Sequence, residues 1–241
     1  MIPWLDSQDP FPPVEGAMTD PNGLLAAGAD LSAGRLLDAY QRGIFPWFGE
    51  GDPLLWWSPD PRMVLMPGEL RVSRSLRRVI RSRRYRVTLD TAFHEVMAGC
   101  AEPRVDDAGT WITAEMVAAY RHLATLGFAH SAEVWLESDL VGGLYGVAIG
   151  RMFFGESMFS RRADASKVAL TTLVRQLERW GFEMIDCQMA TSHLASLGAR
   201  VIPRAEFVEK LRRLAQLPPV PSPWALDSDL YNRSLGAGGR G

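Results

Sequence analysis

Residues 140–188 read LVGGLYGVAIGRMFFGESMFSRRADASKVALTTLVRQLERWGFEMIDCQ, and their pattern sets the layering of the chain. Residues 140–149 and 151–159 are two apolar runs of strand length that meet at Gly150, the mark of a tight hairpin. Residues 165–180 carry apolar side chains at helical spacing, with Asp164 as a candidate N-cap. Residues 183–188 return to strand character. A strand pair, a helix long enough to cross a sheet and a further strand predict an α/β (α+β) layered fold.

Towards the N-terminus the alternation continues. A strand is expected at 129–137, helices at 114–126 (stopped by Gly127), 92–98 and 73–83, and a short strand at 85–89. Short helical pieces at 192–196 and 205–214 follow the quoted stretch. Residues 1–62 are rich in Pro, Gly and Trp. They hold one clear helix at 32–42, capped by Ser32 or Asp30 and ended by Gly43, among short turns and strands. The stretch WWSPDPR at 56–62 carries two prolines and reads as a boundary. The chain thus divides into a small N-terminal domain at 1–62, an α/β domain at 63–217 and a Pro/Gly-rich tail at 218–241. The tail ends in GAGGRG, and its last residues are expected to be disordered.

Bulk properties exclude several classes. The chain has 241 residues, 47% of them hydrophobic and 22% charged, the balance of a globular enzyme. No apolar run approaches the roughly 18 residues of a membrane span, and MIPWLDSQDPFPP lacks the pattern of a secretion signal. A soluble cytoplasmic protein with no membrane partner is expected. Two cysteines and four histidines, in no close cluster, predict neither a disulfide framework nor a metal site. The net charge of −2 means that any contact with nucleic acid must come from a local patch.

One such patch exists. Arg74, Arg77, Arg78 and Arg81 follow i, i+3, i+4, i+7 spacing and form a stripe, opposite Val72, Leu76, Val79 and Ile80. The stripe fits a phosphate backbone, and it also fits a solvated face balanced by acids elsewhere. Tryptophans 47, 56, 57 and 111 can stack on bases or simply pack. Glu156 stands among Phe153, Phe154, Met158 and Phe159, where a carboxylate is costly without a partner. That partner is either Arg161 or a cationic group brought by a substrate. Asp186 and Gln188, two apart on one strand, should share a face, with Cys187 pointing away as a small buried residue. A carboxylate beside an amide can orient an amine through a relay.

The segments that carry these features resemble one family, the leucyl/phenylalanyl-tRNA–protein transferases. The resemblance rests on DPNGLLAAGADL from Asp20, YQRGIFPWF from Tyr40, LLWWSPDPR from Leu54 and VSRSLRR from Val72. GTWIT from Gly109, AHSAEVW from Ala129, LVGGLYGVA from Leu140, FFGESMFSR from Phe153, IDCQ from Ile185 and SLGA from Ser196 extend it. It spans residues 3–210. It implies transfer of Leu or Phe, and less well Met, from aminoacyl-tRNA to acceptor proteins with N-terminal Arg or Lys, marking them for degradation. It also implies a GCN5-related N-acetyltransferase-like fold for 63–217, which the element order resembles as well. By the same resemblance Gln188 with Asp186 is catalytic, Glu156 binds the acceptor, and Trp47 and Trp111 flank the terminal adenosine. The arginine stripe faces the tRNA. Leu144, Phe153, Met158, Leu170, Leu173 and Ile185 are the candidates for the aminoacyl pocket. No cofactor is implied. Acyl-CoA enzymes of this fold cradle pyrophosphate on a Gly-rich turn, and RRADASK from Arg161 has no glycine. An acyl-CoA-dependent acyltransferase and a non-catalytic tRNA-binding module are the alternatives.

Overall fold

The first sixty residues build a small sheet of their own. A computed structural model describes residues 2–102 and 112–230. In it β1 (Trp4–Leu5), β2 (Leu24–Gly28), β3 (Phe45–Pro46) and β4 (Leu55–Trp57) form a sheet in the order β1-β2-β4-β3. Between β2 and β3 runs α1 (Ala33–Gln41). Ser32 caps it by accepting the Arg35 N–H at 3.4 Å, and Gly43 ends it at φ 78°, both as the sequence predicts.

Arg62, assigned from the sequence to the N-terminal part, is the first residue of β5 (Arg62–Leu65) and already belongs to the larger sheet. There follow α2 (Arg74–Arg81), β6 (Arg86–Leu89), α3 (Phe93–Ala101), α4 (Ala114–Thr125), β7 (Ala129–Leu136), β8 (Asp139–Ile149) and β9 (Met152–Ser160). The chain continues through α5 (Ala165–Arg179), β10 (Met184–Gln188), α6 (Ser192–Ser196), β11 (Arg200–Ile202) and α7 (Arg204–Ala215). Seven strands pair in the order β11-β5-β10-β9-β8-β7-β6. Strands β8 and β9 make the expected hairpin, Ile149 opposite Met152. Gly150 takes φ 60° there, and a Cβ would lie 2.4 Å from the Leu214 carbonyl oxygen, so only glycine fits. After the crossover through α5, β10 pairs with β9 in parallel. This strand pair, helix and strand are the order on which the expected GCN5-like layering rests, and the fold is mixed α/β.

One detail departs from the sequence reading. Asp164 occupies the N-cap position of α5 but sits in the left-handed region at φ 64°, and its side chain caps nothing. A capping oxygen needs an extended backbone to reach the first helical N–H groups, so Asp164 instead meets Lys167 Nζ at 3.2 Å. The last residues of the Pro-rich tail, expected to be disordered, lie outside the described residues, and the start of the tail is packed. Trp224 is buried, and its ring lies parallel on His130 with centroids 3.5 Å apart. The main-chain N–H of Trp224 donates to Asp90 Oδ2 at 2.7 Å, the same oxygen that meets His130 Nδ1 at 2.8 Å.

The apolar core lies on both faces of the large sheet. On one face Phe154, Val147 and Tyr145 pack with Tyr120 and Met116 of α4, and the cluster runs on to Tyr40, Phe45 and Trp56 of the N-terminal part. On the other face Leu65, Leu144, Phe153 and Ile185 pack under Leu170, Leu173 and Leu177 of α5.

Candidate active site

Two irregularities in the sheet build the site. Parallel pairing of β9 with β10 stops at Phe154 and Asp186, and just beyond it each strand bulges against its other neighbour. Gly155 and Ser157 pair with the consecutive residues Gly146 and Tyr145, which leaves Glu156 as the extra residue. Asp186 and Gln188 pair with the consecutive residues Val64 and Met63, which leaves Cys187 extra. A bulge re-aims the side chains around it. Here Gln188 Nε2 donates to Glu156 Oε1 at 2.9 Å. The Gln188 backbone is held at φ 60°, a conformation costing a non-glycine residue of order 1–3 kcal/mol unless its surroundings impose it.

Asp186 imposes it. Its Oδ1 accepts the Gln188 main-chain N–H at 2.8 Å and Arg62 Nε at 2.8 Å. Its Oδ2 accepts Arg62 Nη2 at 2.6 Å. Both side chains are 0% exposed. Arg62 Nη1 donates to the Gly43 carbonyl at 3.1 Å, and the guanidinium lies 4.7 Å from the ring centroids of Phe45 and Phe207. A buried ion pair is tolerated when its hydrogen bonds are complete in this way. This corrects the expected relay. The bulge breaks the strict alternation, and Asp186 holds Gln188 by its main chain while the side-chain amide donates to Glu156.

Glu156 does not pair with Arg161, which instead meets Glu102 and donates to the Leu140 carbonyl at 2.9 Å. Its partners come from two helices. Tyr40 of α1 donates to Oε1 at 2.7 Å, and Tyr120 of α4 donates to Oε2 at 3.1 Å. The two hydroxyl oxygens also lie within hydrogen-bonding reach of each other. Burial pushes the Glu156 carboxyl from 4.5 up to about 7, against the lowering pull of the two phenols. The folded protein therefore keeps a proton that the unfolded chain loses first, and stability falls as pH rises from 4.5 to about 7. Glu156→Gln removes that titration. At pH 8 the variant should be more stable than the parent by about 1–2 kcal/mol after screening, read as a higher unfolding temperature, and it should lose the advantage near pH 4.5. A calorimetric pH series checks this.

The remaining sequence candidates fall on both sides of the sheet. Leu144, Phe153, Leu170, Leu173 and Ile185 are buried in one cluster beneath α5, and Met158 is half-buried against it. This cluster lies across the sheet from the Glu156 carboxyl. Gly155 lies where β9 and β10 part, and a Cβ added there would meet the Asp186 carbonyl at 3.5 Å. Burial, with the Asp186 charge adding to it, pushes the Cys187 thiol up, away from nucleophile chemistry.

Trp47 is 38% exposed, edge-on to Trp57 at 5.4 Å, and its carbonyl accepts Trp57 Nε1 at 2.6 Å. Trp111 lies outside the described residues. Arg74, Arg77, Arg78 and Arg81 are exposed while Leu76 is buried, with Val72, Val79 and Ile80 half-buried beside it. The positive field extends onto α5, where burial and then Arg77 lower the Arg175 guanidinium.

Sequence reasoning missed Tyr40, Tyr120 and Arg62. Tyr120 falls at helical spacing with Met116 and Leu123, so it reads as core. The signal was a pair of phenol oxygens within apolar faces, where each needs a partner.

Comparison with known proteins places these motifs. The family model for leucyl/phenylalanyl-tRNA protein transferase matches residues 64–212, and that for its N-terminal domain matches 29–60. A leucyl/phenylalanyl-tRNA–protein transferase of Nitrosospira multiformis is 60% identical over 229 residues, 95% of this chain and 99% of that protein. One of Thiobacillus denitrificans is 63% identical over 218 residues, 90% of this chain and 96% of that protein. Among solved structures, L-PGS of Bacillus licheniformis is similar at TM-score 0.41 and 10% identity, covering 68% of this chain and 54% of that one. A GCN5-related N-acetyltransferase of Kribbella flavida is similar at 0.36 and 11%, covering 71% and 61%. The model matches and the two relatives together show that the chain belongs to the leucyl/phenylalanyl-tRNA protein transferase family and is a transferase.

Proposed function

We propose that the chain moves Leu or Phe from aminoacyl-tRNA to the N-terminus of acceptor proteins that begin with Arg or Lys, marking them for degradation in the cytoplasm. Family membership supports the reaction class. The observation that carries the site is Glu156, a carboxylate that makes no ion pair among the described residues and is hydrogen-bonded by Tyr40, Tyr120 and Gln188. It is fitted to meet the cationic N-terminal end of an acceptor. In this reading the apolar cluster across the sheet is the surface that takes the Leu or Phe side chain. The aminoacyl ester is already activated, so aligning an amine against it supplies most of the acceleration. Gln188 is the residue placed to orient that amine, with Asp186 acting through the backbone. In this reading the half-exposed Trp47 flanks the terminal adenosine.

The test offers labelled Leu-tRNA, or labelled acetyl-CoA, together with an Arg-starting peptide. Label should enter the peptide from tRNA and be abolished by ribonuclease. Label from acetyl-CoA would sink the reading.

The arginine stripe gives a second expectation. Replacing Arg74, Arg77 and Arg78 by Ala should weaken Leu-tRNA binding and flatten its salt dependence. About 0.7–0.9 of a log unit of slope should go per lost phosphate contact, with turnover at saturating tRNA little changed. An unchanged slope in a binding titration across salt concentrations would make the stripe a solvated face.

A further inference from the structure

We propose that Tyr40, Tyr120 and Glu156 form a closed ring of hydrogen bonds that stores one exchangeable proton, and that this ring receives the proton given up by the acceptor's α-ammonium. The inference rests on the transferase reading above and assigns a destination for the proton of that reaction.

The argument is a count of hydrogens. Three oxygen–oxygen contacts close the ring: Tyr40 to Glu156 Oε1 at 2.7 Å, Tyr120 to Glu156 Oε2 at 3.1 Å, and Tyr40 to Tyr120. Each contact needs one hydrogen. The two phenols bring two, and an ionised carboxylate brings none. With Glu156 ionised, one contact sets lone pair against lone pair. A third proton, on the carboxyl, completes the ring. Oε2–H donates to the Tyr120 oxygen, Tyr120 donates to the Tyr40 oxygen, and Tyr40 donates back to Oε1. Gln188 Nε2 also donates to Oε1, which fixes Oε1 as the accepting oxygen and leaves Oε2 for the proton.

The surroundings make the carboxyl the member that changes state. Burial, then the Glu156 charge, hold Tyr40 and Tyr120 well above the usual phenol range, so both keep their hydrogens. Tyr145 of β8 faces Glu156 as well and is raised in the same way; its buried hydroxyl has no hydrogen-bond partner among the described residues. From β10 the Asp186 charge raises Glu156, and from β5 the Arg62 charge lowers it. The two are locked to each other at 2.6 Å, so their fields largely offset. The carboxyl is left near 7, close to the roughly 7.7–8.0 of a free α-amine. A small mismatch of this kind suits proton transfer near neutrality.

The step balances as follows. The acceptor enters as R–NH3+. One N–H proton passes to Glu156 Oε2, and the nitrogen keeps the electron pair. That pair attacks the ester carbonyl carbon, the C–N bond forms, and the bond from that carbon to the ribose oxygen breaks. The ribose oxygen takes the second N–H proton and becomes a hydroxyl. The ring then releases its proton to water, one per amide bond made. In this scheme Glu156 touches the substrate, and Tyr40 and Tyr120 are positioning residues.

The experiment measures kcat/KM against pH with Leu-tRNA and an Arg-starting peptide, for the parent, Tyr40→Phe, Tyr120→Phe and Glu156→Gln. An infrared titration of the carboxylic C=O band follows the same four proteins without substrate. The parent should lose kcat/KM as pH falls through about 7, and its infrared band should appear over the same range. Each Tyr→Phe change opens the ring, so the protonated carboxyl loses two hydrogen bonds of the ring while the carboxylate loses one. Both readouts should therefore move acid by about one pH unit. Glu156→Gln should lose the band and the limb due to the enzyme. Transfer by the parent with profiles and bands that stay in place or move alkaline in both Phe variants would overturn the ring, since an alkaline shift is what phenols that only donate to the carboxylate give. A parent that transfers nothing from Leu-tRNA would overturn the transferase reading, while the infrared titration would still decide on the ring. The band also covers a Phe variant too unstable for kinetics, because the other variant and the parent are read independently.

Discussion

Asp186→Ala should lower folding stability by about 3–5 kcal/mol, because it strands a fully buried guanidinium. Arg62 would keep only its bond to the Gly43 carbonyl and its contacts with Phe45 and Phe207. The Gln188 N–H would lose its acceptor and the strained backbone its restraint. Denaturant unfolding measures the first effect. Replacing both members by apolar residues, Arg62→Met with Asp186→Leu, should recover much of the stability, since no lone charge is left behind. Transfer should not recover with it, since Gln188 is still unheld. An Asp186→Ala protein as stable as the parent but slow in transfer would mean that the carboxylate serves the reacting groups directly.

Gln188→Ala should depress kcat by about 10²–10³-fold, the loss typical of one preorganised hydrogen-bonding group. Folding stability and Leu-tRNA affinity should barely change, because the side chain is half-buried and its hydrogen bond among the described residues goes to Glu156. Single-turnover kinetics separates the terms. Combined with Asp186→Ala, the loss in kcat should be little worse than that of the worse single variant, as for residues that act as a unit. Multiplicative losses would make them independent, and near-normal turnover in Gln188→Ala would remove it from the mechanism.

The contrast between these two residues also shows where a sequence stops being legible. The hairpin at Gly150, the helix after it and the cap at Ser32 were readable because local chemistry determines them: a turn that only glycine can make, an apolar stripe, a hydroxyl ahead of free N–H groups. Glu156 was visible as a carboxylate among aromatic residues, though its partners were not. Tyr40 and Tyr120 lie 116 and 36 positions away in the chain, and Arg62 lies 124 from Asp186. No local pattern encodes such pairings. The bulges at Glu156 and Cys187 were hidden for a different reason. Strict alternation is the rule for reading a strand, and a bulge is a one-residue violation that neighbouring strands impose.

The packed start of the C-terminal segment bears on how substrate preference can drift. Trp224 stacks on His130 and also lies 6.1 Å, ring to ring, from Phe153, one of the six residues proposed to receive the aminoacyl side chain. One neighbour of that cluster is thus carried on a proline-rich tether of about the length of one loop, outside the strands and helix that supply the six. Lengthening or shortening residues 217–223 would slide the indole and reset the packing behind Phe153 without altering any of the six. Two relatives with identical lining could then accept different side chains, and the difference would be written in the spacing of a connector.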